Sequence, residues 1–274
     1  MSKLKVLFFA DLVGKQGRYA LSQECRNLRE KFEADYVIAN VENAAGGFGI
    51  TPEMCGKVFS YGVDCQTSGN HIWDRLDIWR YINEQPKLLR PANFPPGTPG
   101  NGFFIDDTPK GRIGILNLMG RTYMKDIDCP FRVGEKLVDQ MSRETDIIII
   151  DFHAEVTSEK QALAYFLDGK VSAIIGTHTH VQTADETVSE RGTAYITDVG
   201  MTGPHDSIIG MAKRPSLDRF LTGMPHRFAS ANNDIKISGV VLTIETEDGA
   251  AENIERFKID IGDYPQGKEY DKEN

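Results

Sequence analysis

The chain has 274 residues, 40% of them hydrophobic, which is enough to bury a substantial core. A formal net charge of -9 and a pI near 5.2 exclude a broad electrostatic surface for nucleic acid or anionic membrane, because such surfaces run on clustered Lys and Arg. Cys25, Cys55, Cys65 and Cys129 show no CxxC spacing, and a reduced, cytoplasmic protein is the expectation.

In chain order, KVLFFAD reads as a buried strand ending at Asp11. Its apolar stretch is too short for a signal-peptide core or a membrane span, and no other segment approaches spanning length. GKQGRYALSQECRNLREKF follows as a turn and an amphipathic helix with Leu21, Cys25 and Leu28 on one face. DYVIANVEN is the next strand, ending at Glu42 and Asn43, and the Gly-rich AAGGFGI leads to a helix capped by Thr51 and opened by Pro52. VDCQTSGNH ends at Asn70 and His71. RLDIWRYI follows at helical spacing, with Trp79 read as a core residue, and PANFPPGTPGNG is too rich in Pro and Gly for a regular element. GFFIDD and GRIGILNLMG form a hairpin around TPKG, while DIIIIDFH and VSAIIGTHTH are buried strands ending at His153 and at His178 and His180. TAYITDVG is a further strand. The segment ISGVVLTIETEDGAAENIERFKI is a second hairpin turning at Glu247–Ala250, and the polar DYPQGKEYDKEN is expected to fray. No linker is long enough for separate domains, so one domain over 1–274 is expected.

Five strands thus end in residues that can bind a metal or move a proton. In an open α/β sheet, ligands bind beyond the carboxyl ends of the strands, so residues from Asp11 to His180 converge on one rim. Each has an ordinary reading alone: His153 as a satisfied core histidine, Glu42 as a surface acid, Asn70 as a turn former. The recurrence on five strands outweighs those readings. Carboxylate, amide oxygen and imidazole together make a mixed O/N donor set that suits manganese, iron or zinc better than calcium or magnesium.

These residues resemble the calcineurin-like metallophosphoesterases, which carry an Asp after strand one, an acid after the next strand, Gly-Asn-His, a lone His and Gly-His-x-His. The corresponding positions are Asp11, Glu42, Gly69-Asn70-His71, His153 and Gly176-Thr177-His178-Thr179-His180, with Thr177 as an additional residue. The usual Asp-x-His opening is Asp11-Leu12-Val13, and the usual bridging Asp is Glu42. With NVENAAGGFGIT, TSGNHIWD and DVGMTGPHDSIIGM, these departures are similar to the YmdB-like branch, bacterial cyclic-nucleotide phosphodiesterases, over nearly the whole chain.

The resemblance implies a four-layer αββα sandwich with a dinuclear site at the carboxyl ends of the strands. It implies two divalent ions per chain, iron or manganese. Asp11, Glu42 and His180 hold one metal, and Glu42, Asn70, His153 and His178 hold the other. Asn43 fills the place of the absent histidine, as a ligand or through a hydrogen bond, unless it only caps its turn. His71 is placed as a general acid, with Asp74 either orienting it or capping the following helix. The reaction implied is hydrolysis of 2',3'-cyclic or 3',5'-cyclic AMP, and a site short of extra cationic side chains fits a diesterase better than a monoesterase. The alternatives are a metallophosphatase or RNA-directed nuclease on the same scaffold, and a regulatory or RNA-associated protein with vestigial hydrolysis. His205 is a candidate for the substrate-side wall. RTYMKDIDCPF reads as an interface or lid, and a homo-oligomer is expected.

Overall fold

A computed structural model of the chain describes residues 2–265. The tail from residue 266, which holds most of the run expected to fray, lies outside the described residues. The chain opens with β1 (Lys3–Phe9), β2 (Asp11–Leu12) and α1 (Gly14–Lys31), then β3 (Tyr36–Asn40), α2 (Pro52–Ser60), β4 (Cys65–Thr67) and the short α3 (Ile78–Tyr81). The hairpin β5 (Phe103–Thr108) and β6 (Gly111–Met119) leads to α4 (Pro130–Met141), β7 (Ile148–His153), α5 (Thr157–Phe166) and β8 (Ala173–Thr177). β9 (Thr187–Val188), β10 (Ala194–Ile196), β11 (Met201–Pro204) and α6 (Lys213–Thr222) precede the long hairpin β12 (Ile235–Glu245) and β13 (Ala251–Gly262).

Two sheets result. One has seven strands in the order β2-β11-β12-β1-β3-β4, with β13 on β12, and the other has six in the order β5-β6-β7-β8-β10-β9. Successive side chains on a strand face opposite ways, so a strand apolar at every position is buried on both faces. In β1, Val6 and Phe8 pack with Ile115 and Ile149 of the second sheet, while Leu7 and Phe9 pack with Leu21, Cys25 and Leu28 of α1. In β7, Ile149 faces the first sheet, whereas Ile148 and Ile150 pack with Val138 of α4 and Leu163 of α5. Three apolar layers between four structural layers make an αββα sandwich. β1, β3 and β4 run parallel in one sheet and β6, β7, β8 and β10 in the other, so their carboxyl ends meet along one rim.

Local signals act as expected at α2, where the Thr51 hydroxyl accepts from the Met54 amide at 3.3 Å and Pro52 opens the helix. They fail at RLDIWRYI, where only Ile78–Tyr81 is helical. Trp79, expected in the core, is 49% exposed and donates through Nε1 to the Trp73 carbonyl. In so short a helix, the apolar side is filled by Ile78 and Ile82, both fully buried, and the indole is left on the outside. Among the described residues, no helix is long and apolar enough to cross a membrane.

Candidate metal centre

Each predicted ligand sits at or just beyond a strand end on the shared rim. Asp11 opens β2, Glu42 and Asn43 follow β3, Asn70 follows β4, His153 ends β7, and His178 and His180 follow β8. The rim is crowded enough to dictate glycine. A Cβ on Gly69 would lie 2.3 Å from both Glu42 Oε2 and His153 Nε2, and one on Gly176 would lie 1.8 Å from the Thr197 carbonyl. His178 and His180 adopt φ of 99° and 64°, left-handed conformations that non-glycine residues seldom take and that concentrate at functional sites. The His178 amide donating to Asp11 Oδ2 at 3.0 Å is one of the contacts that hold the turn there.

The seven side chains fall into two adjoining groups. In the first, His153 Nε2 lies 3.0 Å from Glu42 Oε1, 3.1 Å from Asn70 Oδ1 and 2.9 Å from His178 Nδ1. In the second, His180 Nε2 lies 3.4 Å from Asp11 Oδ2 and 3.1 Å from Asn43 Nδ2. Asn43 Nδ2 also donates to Glu42 Oε1 at 3.1 Å, so Asn43 and Glu42 stand where the groups join. The Asn43 side chain therefore contacts the cluster, and among the described residues it makes no hydrogen bond that caps its turn.

Hydrogen bonds to the outside fix which nitrogen of each imidazole points inward. His153 Nδ1 is 2.9 Å from the Thr177 hydroxyl, which donates to Asp151 Oδ1 at 2.7 Å, so His153 donates outward and turns Nε2 in. His180 donates through Nδ1 to the Ile209 carbonyl at 2.9 Å and also turns Nε2 in. His178 places Nε2 3.0 Å from Glu155 Oε2 and turns Nδ1 in. This pattern, one nitrogen held by an oxygen acceptor and the other free, is how metal-binding imidazoles are usually oriented.

The electrostatics point the same way. Burial raises the Glu42 carboxyl, but the His153 imidazole against it prevails and holds it well below the usual carboxylate range. Burial lowers His153, and the charge of Glu42 prevails to raise it. Burial and the neighbouring His153 push His178 down to about 3, whereas Asp11 overcomes burial at His180 and lifts it to about 9. A proton on His153 Nε2 can serve only one of the three acceptors around it. A divalent cation would serve all of them, and in the adjoining group the buried Asp11 Oδ1 has no hydrogen-bond partner among the described residues. Glu42, His153 and His178 each bring a donor atom within 4.8 Å of the others, so the residues fit a metal ion.

His71 stands beside this cluster. Its backbone amide donates to Glu42 Oε2 at 3.1 Å, and its ring is held with Nδ1 2.7 Å from Asp74 Oδ2 and the Phe48 ring packed edge-on at 5.0 Å. Asp74 is thus paired with the His71 ring, and among the described residues it makes no capping hydrogen bond to the following helix. His205 donates through Nδ1 to the Gly203 carbonyl at 3.0 Å, and its charged neighbours are Lys258, Lys236 and Asp234. Among the described residues, none of these contacts ties His205 to the cluster. The same loop reaches the site instead through the Ile209 carbonyl.

Sequence reasoning missed four contributors. Asp151 carried a signal, because a carboxylate inside IIIIDFH must find partners, and it accepts from Thr67, Asn40 and Thr177. Thr177, the residue inserted in the last motif, is the link between Asp151 and His153. Glu155 and Lys125 follow strand ends in irregular chain and carried no signal. Lys125 donates to the Asn70 carbonyl at 3.0 Å, so the site has a neighbouring cation where none was expected.

The YmdB-like protein family profile matches residues 7–257. The 2',3'-cyclic-nucleotide 2'-phosphodiesterase of Bacillus subtilis is 44% identical over 256 residues, covering 93% of this chain and 97% of that one. A crystal structure of a novel phosphatase from Mycoplasma pneumoniae superimposes with a TM-score of 0.89 at 35% identity, over 97% of this chain and 96% of that one. A hypothetical protein from Thermus thermophilus superimposes with a TM-score of 0.88 at 38% identity, over 94% and 99%. Family profile, full-length identity and superposition agree, and the chain belongs to the YmdB-like family of metallophosphoesterases.

Proposed function

We propose that this chain is a metal-dependent phosphodiesterase that opens 2',3'-cyclic nucleotides at a site for two divalent ions, iron or manganese. The observation that carries this reading is the convergence of Glu42, Asn70 and His178 on His153 Nε2, with Asp11, Asn43 and His180 alongside. The mixed imidazole, carboxylate and amide donors suit those metals. Bound divalent ions would activate water and neutralise charge developing at phosphorus. Glu42, between the two groups, would be shared by both ions.

The remaining work falls to the chain's own side chains. Opening the ring forms one P–O bond to water and breaks one P–O bond to ribose, whose oxygen must take up a proton. His71 supplies it from Nε2, with Asp74 holding Nδ1 and thus the ring direction. Phe48 packs against the same ring and limits its motion. The Bacillus subtilis relative, named for hydrolysis of the 2' ester, supports this substrate class.

Metal analysis of the purified protein with a substrate panel tests the reading. About two equivalents of iron or manganese are expected, with conversion of 2',3'-cyclic AMP to the 3'-monophosphate outpacing any monoester hydrolysis. One equivalent or none would overturn the two-ion assignment. Preference for monoesters would favour the phosphatase alternative, and Lys125 beside Asn70 makes that comparison worth running.

A further inference from the structure

Beside the metal centre runs a groove of about 1230 Å³ that the reaction leaves unexplained. Phe48 connects the two, because it lines the groove and packs edge-on against the His71 ring at 5.0 Å. If His71 protonates the leaving ribose oxygen, as proposed above, the nucleoside must lie on the His71 side of the reacting phosphorus. Phe48, shared by the groove wall and the His71 ring, puts the groove next to that nucleoside.

The groove is larger than a single nucleoside needs. Pockets for small ligands usually span about 300–1,000 Å³. Its lining combines two aromatic rings, Phe48 and Phe228, with the cations Lys15, Arg75 and Arg227. Two carboxylates also line it, Glu53 and Asp77, but Glu53 is paired with Lys57 at 2.9 Å. In a chain of net charge -9, a local excess of positive charge next to the acid needs a reason. Arg75 is fixed in place by donating to the Ala45 carbonyl at 2.6 Å and the Phe48 carbonyl at 3.1 Å. Gln16 is 1% exposed and donates to Asn232 Oδ1 at 2.6 Å, yet its Oε1 accepts no hydrogen bond among the described residues. Aromatic faces, cations and a free amide acceptor are the elements by which proteins hold single-stranded nucleic acid, through stacking and phosphate contacts.

We infer that this groove is a subsite for a second nucleotide, so that the substrate is the 2',3'-cyclic phosphate end of a short oligoribonucleotide. The terminal nucleoside lies past His71. The nucleotide joined to its 5' oxygen extends into the groove, with its base against Phe48 or Phe228 and its phosphodiester near Arg227 and Lys15. The chemistry is unchanged: water adds to phosphorus, the P–O2' bond breaks, the 2' oxygen takes a proton, and a 3'-phosphate end remains. The acidic surface elsewhere limits the contact to the end of the strand.

The inference rests on the phosphodiesterase reading, and the test separates the two. kcat/KM would be measured on adenosine 2',3'-cyclic phosphate and on the dinucleotide ApA ending in the same cyclic phosphate. The dinucleotide should be better by about tenfold, mainly through KM, the scale expected of one stacked base. Arg227→Ala and Phe228→Ala should each remove most of that advantage. Calorimetry should show the dinucleotide 3'-phosphate product binding more tightly than adenosine 3'-phosphate. Opening of the mononucleotide with no gain for the dinucleotide, or a gain untouched by both variants, overturns the subsite alone. Failure to open either substrate overturns both readings.

Discussion

Two kinds of buried carboxylate stand at or near the shared rim of the strands, and they serve opposite ends. Asp151 and Asp198 are fully buried and fully answered by the fold. Asp151 accepts from two threonine hydroxyls and one amide, and Asp198 accepts from Lys160, from the Thr179 amide and hydroxyl, and from the Gly200 amide. Glu42 and Asp11 are as deeply buried but are answered differently. Glu42 accepts from Asn43 and from the His71 amide but also faces the inward nitrogen of His153, and Asp11 keeps one oxygen without a hydrogen-bond partner among the described residues. The difference shows in the titration of the two best-placed acids. Burial pushes Asp151 up to about 7 and outweighs the charge of His153, whereas the imidazoles around Glu42 prevail over burial and hold it well below the usual carboxylate range. A buried acid whose oxygens are met by fixed donors of the fold, hydroxyls and amides or, at Asp198, the Lys160 ammonium, stiffens the fold. One whose acceptors converge with nitrogen lone pairs is arranged for a cation.

Substitution of one member from each class would break this comparison most directly. Glu42→Gln should lose both ions together, giving well under one equivalent by elemental analysis, with turnover at the level of metal-free protein. Asp151→Asn should keep close to the parental metal content while losing roughly 1–3 kcal/mol of stability, the usual result of mispairing a buried hydrogen-bonding group. Chemical denaturation with parallel metal analysis separates the two. Similar metal loss in both variants would show that the distinction drawn from hydrogen bonding is wrong.

The next effect concerns a side chain that touches the cluster without joining it. His71→Ala should retain the fold and the metal content and lose about 10²- to 10⁴-fold in turnover on cyclic nucleotides, the usual contribution of a positioned acid. An ester with a p-nitrophenolate leaving group needs little protonation, so its hydrolysis should fall far less. Equal losses on the two substrates, or a missing metal, would remove His71 from the role of acid.

Much of this site was legible because strand ends are legible. Buried parallel strands announce themselves as runs such as VLFFA and IIII, and the residue that follows each run must emerge at the rim, so Asp11, Glu42, Asn70, His153, His178 and His180 could be placed together without coordinates. The supporting shell was mostly hidden. Glu155 and Lys125 lie in irregular chain, where nothing in the spacing says which way a side chain turns. The reading of Trp79 failed for a related reason, since helical periodicity has meaning only where a helix persists, and α3 stops after four residues. Thr177 was visible as an oddity of the Gly-Thr-His-Thr-His motif. Its purpose depends on Asp151 arriving from β7, a contact between parallel neighbours that sequence order alone does not supply.

Glu155 gives the smallest and most discriminating test, because it decides which nitrogen of His178 faces the metal. The inward direction of Nδ1, 2.9 Å from His153 Nε2, leaves Nε2 to donate to Glu155 at 3.0 Å. On that assignment Glu155 is a positioning residue, and its loss should weaken metal affinity. Partners of this kind are worth roughly 10- to 100-fold, and a carboxylate that is 49% exposed should sit near the lower figure. Glu155→Ala is therefore expected to lower metal affinity about tenfold with little change in KM, and Glu155→Gln, which keeps an acceptor oxygen for Nε2, should recover most of the loss. If Nε2 were the ligand instead, Glu155 would compete with the metal for the same nitrogen. Its removal would then leave affinity unchanged or raise it. Competitive chelator titration of the two variants distinguishes these outcomes, and unchanged or tighter binding in the alanine variant would reverse the orientation assigned to His178.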